Sequence, residues 1–145
     1  MVESKRSDDL RHAGGCLCGA VRFEVVGNPL SVSICHCVSC QKVSGSAFSV
    51  NCIFPREALT YFSMPTTYVD IGDSGNPVYR EFCARCGSSL QSRATATADF
   101  AVMKAGAFDA PSAFTPTVEI YCRTALPWLN ESDARAHFAT LPTST

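Results

Sequence analysis

The spacing of the cysteines constrains this chain more than any other feature of its sequence. Seven of the nine cysteines fall into three short motifs, which are Cys16/Cys18, Cys35/Cys37/Cys40 and Cys83/Cys86. Cysteines at C-x-C or C-x-x-C spacing can direct both thiolates at one metal ion, and several such motifs in one chain are a strong signal of zinc binding. A fold for this sequence must therefore bring distant stretches of the chain together around metal ions.

The redox compartment decides whether such cysteines form disulfides or bind metal. Residues 1–13 mix both signs of charge with almost no apolar side chain, so they lack the apolar stretch of a secretory signal. We therefore expect a cytoplasmic protein, in which a reducing environment disfavours disulfides. Metal binding is then the expected use of the paired cysteines.

Composition limits the classes of partner. The formal net charge is -1, from 12 Lys and Arg against 13 Asp and Glu, and the chain contains no basic block. A nucleic-acid partner is not expected, because proteins that bind nucleic acids carry a concentrated positive surface. No apolar run approaches the ~20 residues of a membrane-spanning helix, so a membrane partner is not expected either.

The length and the hydrophobic content fit one domain over residues 14–141, preceded by a flexible tail over residues 1–13.

Alternating apolar and polar residues predict a mainly β fold of short antiparallel strands. The predicted strands cover residues 21–25, 48–54, 68–71, 78–82, 100–104 and 118–123. The turn-forming residues of segment 72–77 predict a hairpin between two of these strands. Near the C-terminus, Ala134, His137, Phe138 and Leu141 recur at helical spacing after Asn130 or Ser132 as a possible N-cap, so this segment is predicted to form a short helix.

The first and third motifs together provide a complete ligand set. Cys16 and Cys18 lie two residues apart in a glycine-rich segment, and Cys83-x-x-Cys86 is followed by a glycine, as in a zinc knuckle. Four thiolates make a closed tetrahedral zinc site that leaves no position for a substrate and contributes folding free energy. We therefore expect Cys16, Cys18, Cys83 and Cys86 to hold a structural zinc.

The second motif provides three thiolates, from Cys35, Cys37 and Cys40. A zinc ion with three protein ligands keeps a fourth position for water or a substrate, so these cysteines form the candidate active site. His36 lies between two ligands and is expected to point the other way.

Other residues offer alternatives for the fourth ligand. Cys52 and Cys122 both alternate in register with apolar residues, so they are predicted to be buried core cysteines. If Cys52, Cys122, His36 or a distant carboxylate completes the shell, the second site is structural as well. In either case the chain is expected to carry two zinc ions.

The three motifs, with their neighbours, resemble the glutathione-dependent formaldehyde-activating enzyme family, which also includes centromere protein V. The resembling segments are residues 14–23, 35–48 and 82–90, in the same order and spacing. The resemblance implies a β-tent fold, a structural zinc on Cys16, Cys18, Cys83 and Cys86, and a second zinc on Cys35, Cys37 and Cys40. It also implies S-(hydroxymethyl)glutathione synthase activity, a carbon-sulfur lyase reaction that joins glutathione to formaldehyde.

The resemblance suggests a mechanism, and two alternative functions remain. Three thiolates leave Zn²⁺ with one net negative charge, so binding and orienting a small-molecule thiol is a better role than strong polarisation of a carbonyl. The arginines that suit the carboxylates of glutathione are Arg22, Arg56, Arg80, Arg93 and Arg123, of which Arg22 is the first candidate because it follows the first motif. The main alternative is a non-catalytic zinc module that binds a thiol compound or a protein. An adaptor for nucleic acid or microtubules ranks third, because residues 1–13 are not basic.

Overall fold

The computed structural model describes residues 10–130 and 134–142. The strands are β1 (Arg11–Gly15), β2 (Arg22–Val26), β3 (Ser31–Cys35), β4 (Ser49–Pro55), β5 (Leu59–Tyr61), β6 (Thr66–Ile71), β7 (Pro77–Phe82), β8 (Ser89–Ala94), β9 (Phe100–Lys104), β10 (Val118–Ile120) and β11 (Ala136–His137). One α-helix, α1 (Val38–Ser44), occurs in the described residues, with short 3-10 turns between several strands. Within those same ranges, no helix is long and apolar enough to cross a membrane.

The strands form two sheets, which confirms the predicted mainly β fold. The small sheet has the order β1-β2-β5, and the large sheet has the order β11-β10-β3-β4-β9-β8-β7-β6. Strand β10 pairs in parallel with both β3 and β11, whereas every other pairing is antiparallel. The predicted hairpin over residues 72–77 is confirmed, because β6 and β7 pair across it.

The large sheet has two chemically different faces. Val32 lies opposite Cys52, which lies opposite Met103, and these apolar residues share one face. Because side chains alternate along a strand, their neighbours Cys35, Asn51 and Lys104 lie on the other face. The apolar face packs into the core, and the polar face presents Cys35 beside a buried cation.

The small sheet is packed closely against the core. Phe23 and Val25 from β2 are almost fully buried, and the Phe108 ring contacts Phe23 with 5.2 Å between centroids. Gly14 allows this approach, since a Cβ atom there would lie 2.5 Å from the carbonyl oxygen of Ala107. This packing fixes the end of β1, and so positions the first cysteine of the first motif.

Two predictions of local structure are corrected by the fold. The predicted C-terminal helix is wrong, because Ala136–His137 forms strand β11 and pairs with β10. A short isolated helix is only marginally stable, so tertiary pairing overrides a pattern of four apolar positions. Residues 11–13 of the predicted tail also belong to a strand, because β1 begins at Arg11. The remainder of the proposed tail, residues 1–9, and the possible N-cap Ser132 lie outside the described residues.

Candidate metal centres

The first cluster brings together four cysteines from two loops. Cys16 and Cys18 follow β1, and Cys83 and Cys86 follow β7. Their sulfurs lie within 4.8 Å of one another. The Sγ atoms of Cys16 and Cys18 are 3.6 Å apart, and those of Cys18 and Cys83 are 3.8 Å apart. A tetrahedral zinc with bonds of about 2.3 Å to sulfur separates its ligands by about 3.8 Å, so this donor set fits zinc.

Hydrogen bonds orient these sulfurs. The backbone N–H of Val21 donates to Cys16 Sγ at 3.2 Å. Ser88 Oγ accepts from the N–H of Leu17 at 3.0 Å and lies 3.2 Å from Cys86 Sγ. Hydrogen bonds from the Ser88 side chain and backbone lower the pKa of Cys86 to about 5. Partners of this kind hold thiolate ligands in place around a metal.

The second cluster is built where β3 meets α1. Cys35 is the last residue of β3, Cys37 is the N-cap of α1, and Cys40 lies in its first turn. The three sulfurs lie within 4.8 Å of one another, and Cys37 Sγ accepts a hydrogen bond from the N–H of Cys40 at 3.3 Å. Cys35 and Cys40 are buried, whereas Cys37 is half-buried, so the accessible side of the cluster is at Cys37.

The ionisation of one thiol in this cluster disfavours the ionisation of the other two. Hydrogen bonds from Cys35 and Cys40 lower the pKa of Cys37 to about 2. Hydrogen bonds to Cys37 and Cys40, together with burial, raise the pKa of Cys35. One thiolate forms readily while its neighbours resist ionisation, and a bound cation would remove this competition. The chemistry of the donor set therefore fits a divalent metal.

Lys104 is a buried cation beside the second cluster. Its exposed fraction is 8%, and its Nζ donates to Asn51 Oδ1 at 2.9 Å and to Ser49 Oγ at 3.2 Å. Burial lowers the pKa of Lys104, and the negative charge of Cys40 opposes that shift. Within the described ranges no carboxylate pairs with Lys104. An unpaired buried charge is costly, so the thiolate cluster is its natural counter-charge.

Arg80 supplies a second positive charge near Cys37. Its side chain is largely buried, and its guanidinium is held by Asp70 at 3.0 Å. The charge of Arg80 also favours the thiolate form of Cys37. Sequence analysis did not identify Lys104 or the position of Arg80 beside Cys37. The only signal in the sequence was that Lys104 ends an otherwise apolar strand.

His36 faces away from the thiolates, as expected from its position between two ligands. It is buried rather than on the surface, and its Nε2 lies 2.7 Å from Glu119 Oε1. The other oxygen of Glu119 receives Arg135 Nε at 2.9 Å and lies 3.0 Å from His137 Nε2. Burial opposes ionisation of Glu119, but hydrogen bonds from His36, Arg135 and His137 prevail and lower its pKa to about 2. These contacts connect the second cluster to the C-terminal strand.

The remaining cysteines do not join either cluster. Cys52 is fully buried on the apolar face, as predicted, and burial raises its pKa to about 12. The prediction for Cys122 is wrong in its detail, because this residue is half-buried in the 3-10 turn Cys122–Thr124. Within residues 10–130 and 134–142, no fourth His, Cys, Asp or Glu groups with the three cysteines of the second cluster.

The structure separates the five candidate arginines by their partners. Arg22 forms a bidentate pair with Asp109, at 2.9 and 2.5 Å, and is close enough to Cys16 of the first cluster to feel its charge. Arg80 pairs with Asp70, Arg93 pairs with Glu81, and Arg56 donates to a backbone carbonyl. Arg123 has no carboxylate partner in the described part of the chain. Arg22, the first candidate from sequence, is therefore occupied, whereas Arg123 is available.

A family profile, curated proteins and solved structures all include matches to this chain. The profile of the family described as "Glutathione-dependent formaldehyde-activating enzyme" matches residues 11–124. A curated protein of Halomonas elongata, named "Putative glutathione-dependent formaldehyde-activating enzyme", is 34% identical over 82 residues. That alignment covers 53% of this chain and 52% of the relative, so the chain matches about half of the relative's length. A crystal structure of a Rhodobacter sphaeroides protein shares the fold, with a TM-score of 0.53 and 16% identity over 87% of this chain and 98% of that chain.

Proposed function

Because the chain belongs to the glutathione-dependent formaldehyde-activating enzyme family, we propose that it is a zinc enzyme that adds a small thiol to a small carbonyl compound. Glutathione and formaldehyde are the pair suggested by the names of the family and of the Halomonas relative. The observation that carries this proposal is the difference between the clusters: one has four cysteine sulfurs and the other has three. A closed site stabilises a fold, whereas a three-ligand site leaves room for a reactant.

The residues that would hold zinc are the two cysteine clusters. Cys16, Cys18, Cys83 and Cys86 would hold the structural ion, and Cys35, Cys37 and Cys40 would hold the ion of the active site. When bound there, zinc supplies a position at which a thiol ionises near neutral pH. The protein's own groups determine the direction of approach and the local charge.

The side chains around the second cluster suit an anionic sulfur. Cys35 and Cys40 are buried, so a reactant reaches the cluster from the side of Cys37. The positive charges of Lys104 and Arg80 offset part of the negative charge that accumulates when a fourth thiolate joins three others. These groups favour binding and orientation of the thiol over activation of the carbonyl.

The proposed reaction is an addition that needs no oxidant or reductant. The thiol loses its proton, its sulfur forms a bond to the carbonyl carbon, and the C=O π bond breaks. The carbonyl oxygen takes up a proton and becomes a hydroxyl group. In the reverse direction a carbon-sulfur bond is broken, which places the enzyme in the carbon-sulfur lyase class.

An exchange experiment tests this function. The protein is added to ¹³C-formaldehyde and glutathione at equilibrium, and NMR exchange spectroscopy measures the rate at which formaldehyde and its thiol adduct interconvert. The enzyme should raise that rate without moving the equilibrium. Cys40→Ser should abolish the effect, whereas Cys52→Ser, a change of the same kind on the apolar face, should retain it.

The opposite outcome favours the alternative function. The burial of Cys35 and Cys40 also suits a zinc module that binds a thiol compound or a protein and catalyses nothing. If the exchange rate equals the uncatalysed rate for the zinc-loaded protein, that module is the better description.

The cytoplasm is the proposed location. None of the nine cysteines is joined to another by a disulfide bond. Free thiolates remain available as metal ligands only in a reducing compartment, where glutathione is also present.

A further inference from the structure

A cleft adjoins the accessible side of the second cluster. Its volume is about 260 Å³, and its lining includes Cys37, Asp73, Arg80, Tyr121, Arg123 and Thr124. A larger cavity of about 740 Å³ is lined by Phe108, Phe114 and Lys104, but none of the three cysteines of the second cluster lines it. Any thiol that approaches Cys37 through the smaller cleft would therefore place the rest of its molecule among these charged and polar side chains.

One cation of this cleft is free to bind a ligand. Arg80 is held by Asp70, whereas Arg123 is exposed and has no carboxylate partner among the described residues. An arginine presents a planar fork of donors that matches a carboxylate in a bidentate geometry. Arg123 therefore offers a carboxylate site within the cleft that contains Cys37.

The same cleft holds an acidic side chain. Asp73 lies in the turn between β6 and β7, is exposed and forms no ion pair within the described ranges. It lies near Tyr121: burial raises the pKa of Tyr121, and the charge of Asp73 raises it further. A cation and an anion in one small cleft match a ligand that carries both charges close together.

The wall of the cleft is held in a strained backbone conformation. Tyr121 has a φ of 54°, and it is the one residue other than glycine with positive φ in the described part of the chain. Thr124 Oγ1 donates to the carbonyls of Tyr121 and His36, at 3.0 and 2.9 Å. Gln41 in α1 donates to the carbonyls of His36 and Thr124, at 2.9 and 3.0 Å. These bonds fix the segment with Tyr121 and Arg123 against α1, and strain of this kind is concentrated at functional sites.

We propose that this cleft binds the amino-acid end of the thiol substrate, with Arg123 taking its carboxylate and Asp73 taking its ammonium group. The inference rests on the proposed function, since it assumes that a thiol occupies the second cluster. It names the substrate class as thiols that carry an α-amino acid group, of which cysteine is the smallest and glutathione a larger example. Neutral thiols gain nothing from either side chain.

Four small thiols test this assignment on the zinc-loaded protein. Cysteine carries both charges, cysteamine lacks the carboxylate, 3-mercaptopropionate lacks the ammonium group, and 2-mercaptoethanol lacks both. Isothermal titration calorimetry gives each affinity, with the zinc content measured after each titration. Cysteine should bind about tenfold more tightly than cysteamine. One additional hydrogen-bonded ion pair in a partly exposed cleft lowers the dissociation constant by about tenfold.

Matched variants identify the groups responsible. Arg123→Gln should bring the affinity ratio of cysteine to cysteamine close to one, and Asp73→Asn should do the same for cysteine against 3-mercaptopropionate. Arg56→Gln removes an equal charge from an exposed residue outside the cleft, and it should leave both ratios unchanged.

Different results would overturn the cleft assignment and the proposed function. If all four thiols bind the wild-type protein equally, or if Arg123→Gln leaves the first ratio unchanged, the cleft assignment is overturned while the thiol site stands. If neither glutathione, titrated in the same way, nor any of the four small thiols binds, the proposed function fails, and the cleft assignment fails with it.

Discussion

Lys104 carries a buried positive charge beside the second cluster. Its ammonium group is buried with neutral partners, so its charge needs the thiolates to offset it. Lys104→Met should weaken zinc binding at the second site by about 10–100-fold, the range for loss of a partner outside the ligand shell. Lys104→Arg, which keeps the charge, should retain more of that affinity.

Competition with a chromophoric chelator measures this effect. Wild-type protein and both variants are titrated, and the weaker of the two bound zinc ions is followed. Equal affinities in wild type and Lys104→Met would show that the ammonium group does not balance the cluster.

Single residues also show which features of the site could be predicted from the sequence and which could not. The seven motif cysteines converge into the two predicted clusters, because C-x-C and C-x-x-C spacing fixes ligand geometry locally. The roles of Lys104, Arg80 and Glu119 were not predicted, since each depends on a partner far away in the sequence. Arg22 was ranked first for its proximity to a motif, yet the fold places Asp109 against it.

At the scale of elements, most strands with a clear apolar and polar alternation were predictable, and most of the others were not. Strands β2, β4, β6, β7, β9 and β10 match predicted segments, although β10 ends at Ile120 rather than at residue 123. Strands β1, β5, β8 and β11 were not predicted, because they are short, glycine-rich or polar and gain their stability from neighbouring strands, and β3 was not predicted although its residues alternate. The single helix was also misplaced: α1 lies inside the second cysteine motif, with Cys37 as its N-cap and Gly45 at φ 63° as its C-cap.

Strand β10 connects the second cluster to β11 through Glu119. The pKa of Glu119 is lowered from 4.5 to about 2, so the ionised form stabilises the folded state. This contribution is fully present above pH 4.5 and is lost as the pH falls towards 2. Glu119→Gln should therefore destabilise the protein at pH 7, by roughly 1–3 kcal/mol for a buried charged hydrogen bond, and the deficit should shrink below pH 4.5.

Thermal unfolding of wild type and variant across this pH range measures the deficit. Acid also protonates the cysteine ligands, but it does so in both proteins, so their difference isolates Glu119. Glu57→Gln, an exposed control, should show little difference at any pH. A deficit for Glu119→Gln that stays constant from pH 7 to pH 3 would be inconsistent with an ionised Glu119.

For the whole molecule, the first cluster joins the two sheets. Cys16 and Cys18 follow β1 of the small sheet, and Cys83 and Cys86 follow β7 of the large sheet. Loss of one thiolate there forfeits metal-linked folding free energy, so Cys86→Ser should unfold or aggregate. Cys40→Ser should remain folded, because β3 and β4 hold the second cluster within one sheet.

Circular dichroism and size-exclusion chromatography compare these two variants. Cys40→Ser should be folded, and Cys86→Ser should be unfolded or aggregated. Equal damage from both substitutions would mean that both clusters are structural.

The central claim is that one metal site is closed and the other has an exchangeable position. Cobalt replaces zinc in thiolate sites and gives visible spectra that depend on the ligand set, so two equivalents of Co²⁺ report both clusters together. The wild-type protein should show one four-sulfur site and one site with three sulfurs and a lighter ligand. Added glutathione should convert the second spectrum towards four sulfurs, and Cys40→Ser should remove that response. Two four-sulfur spectra from the start, with no change on adding glutathione, would contradict the account.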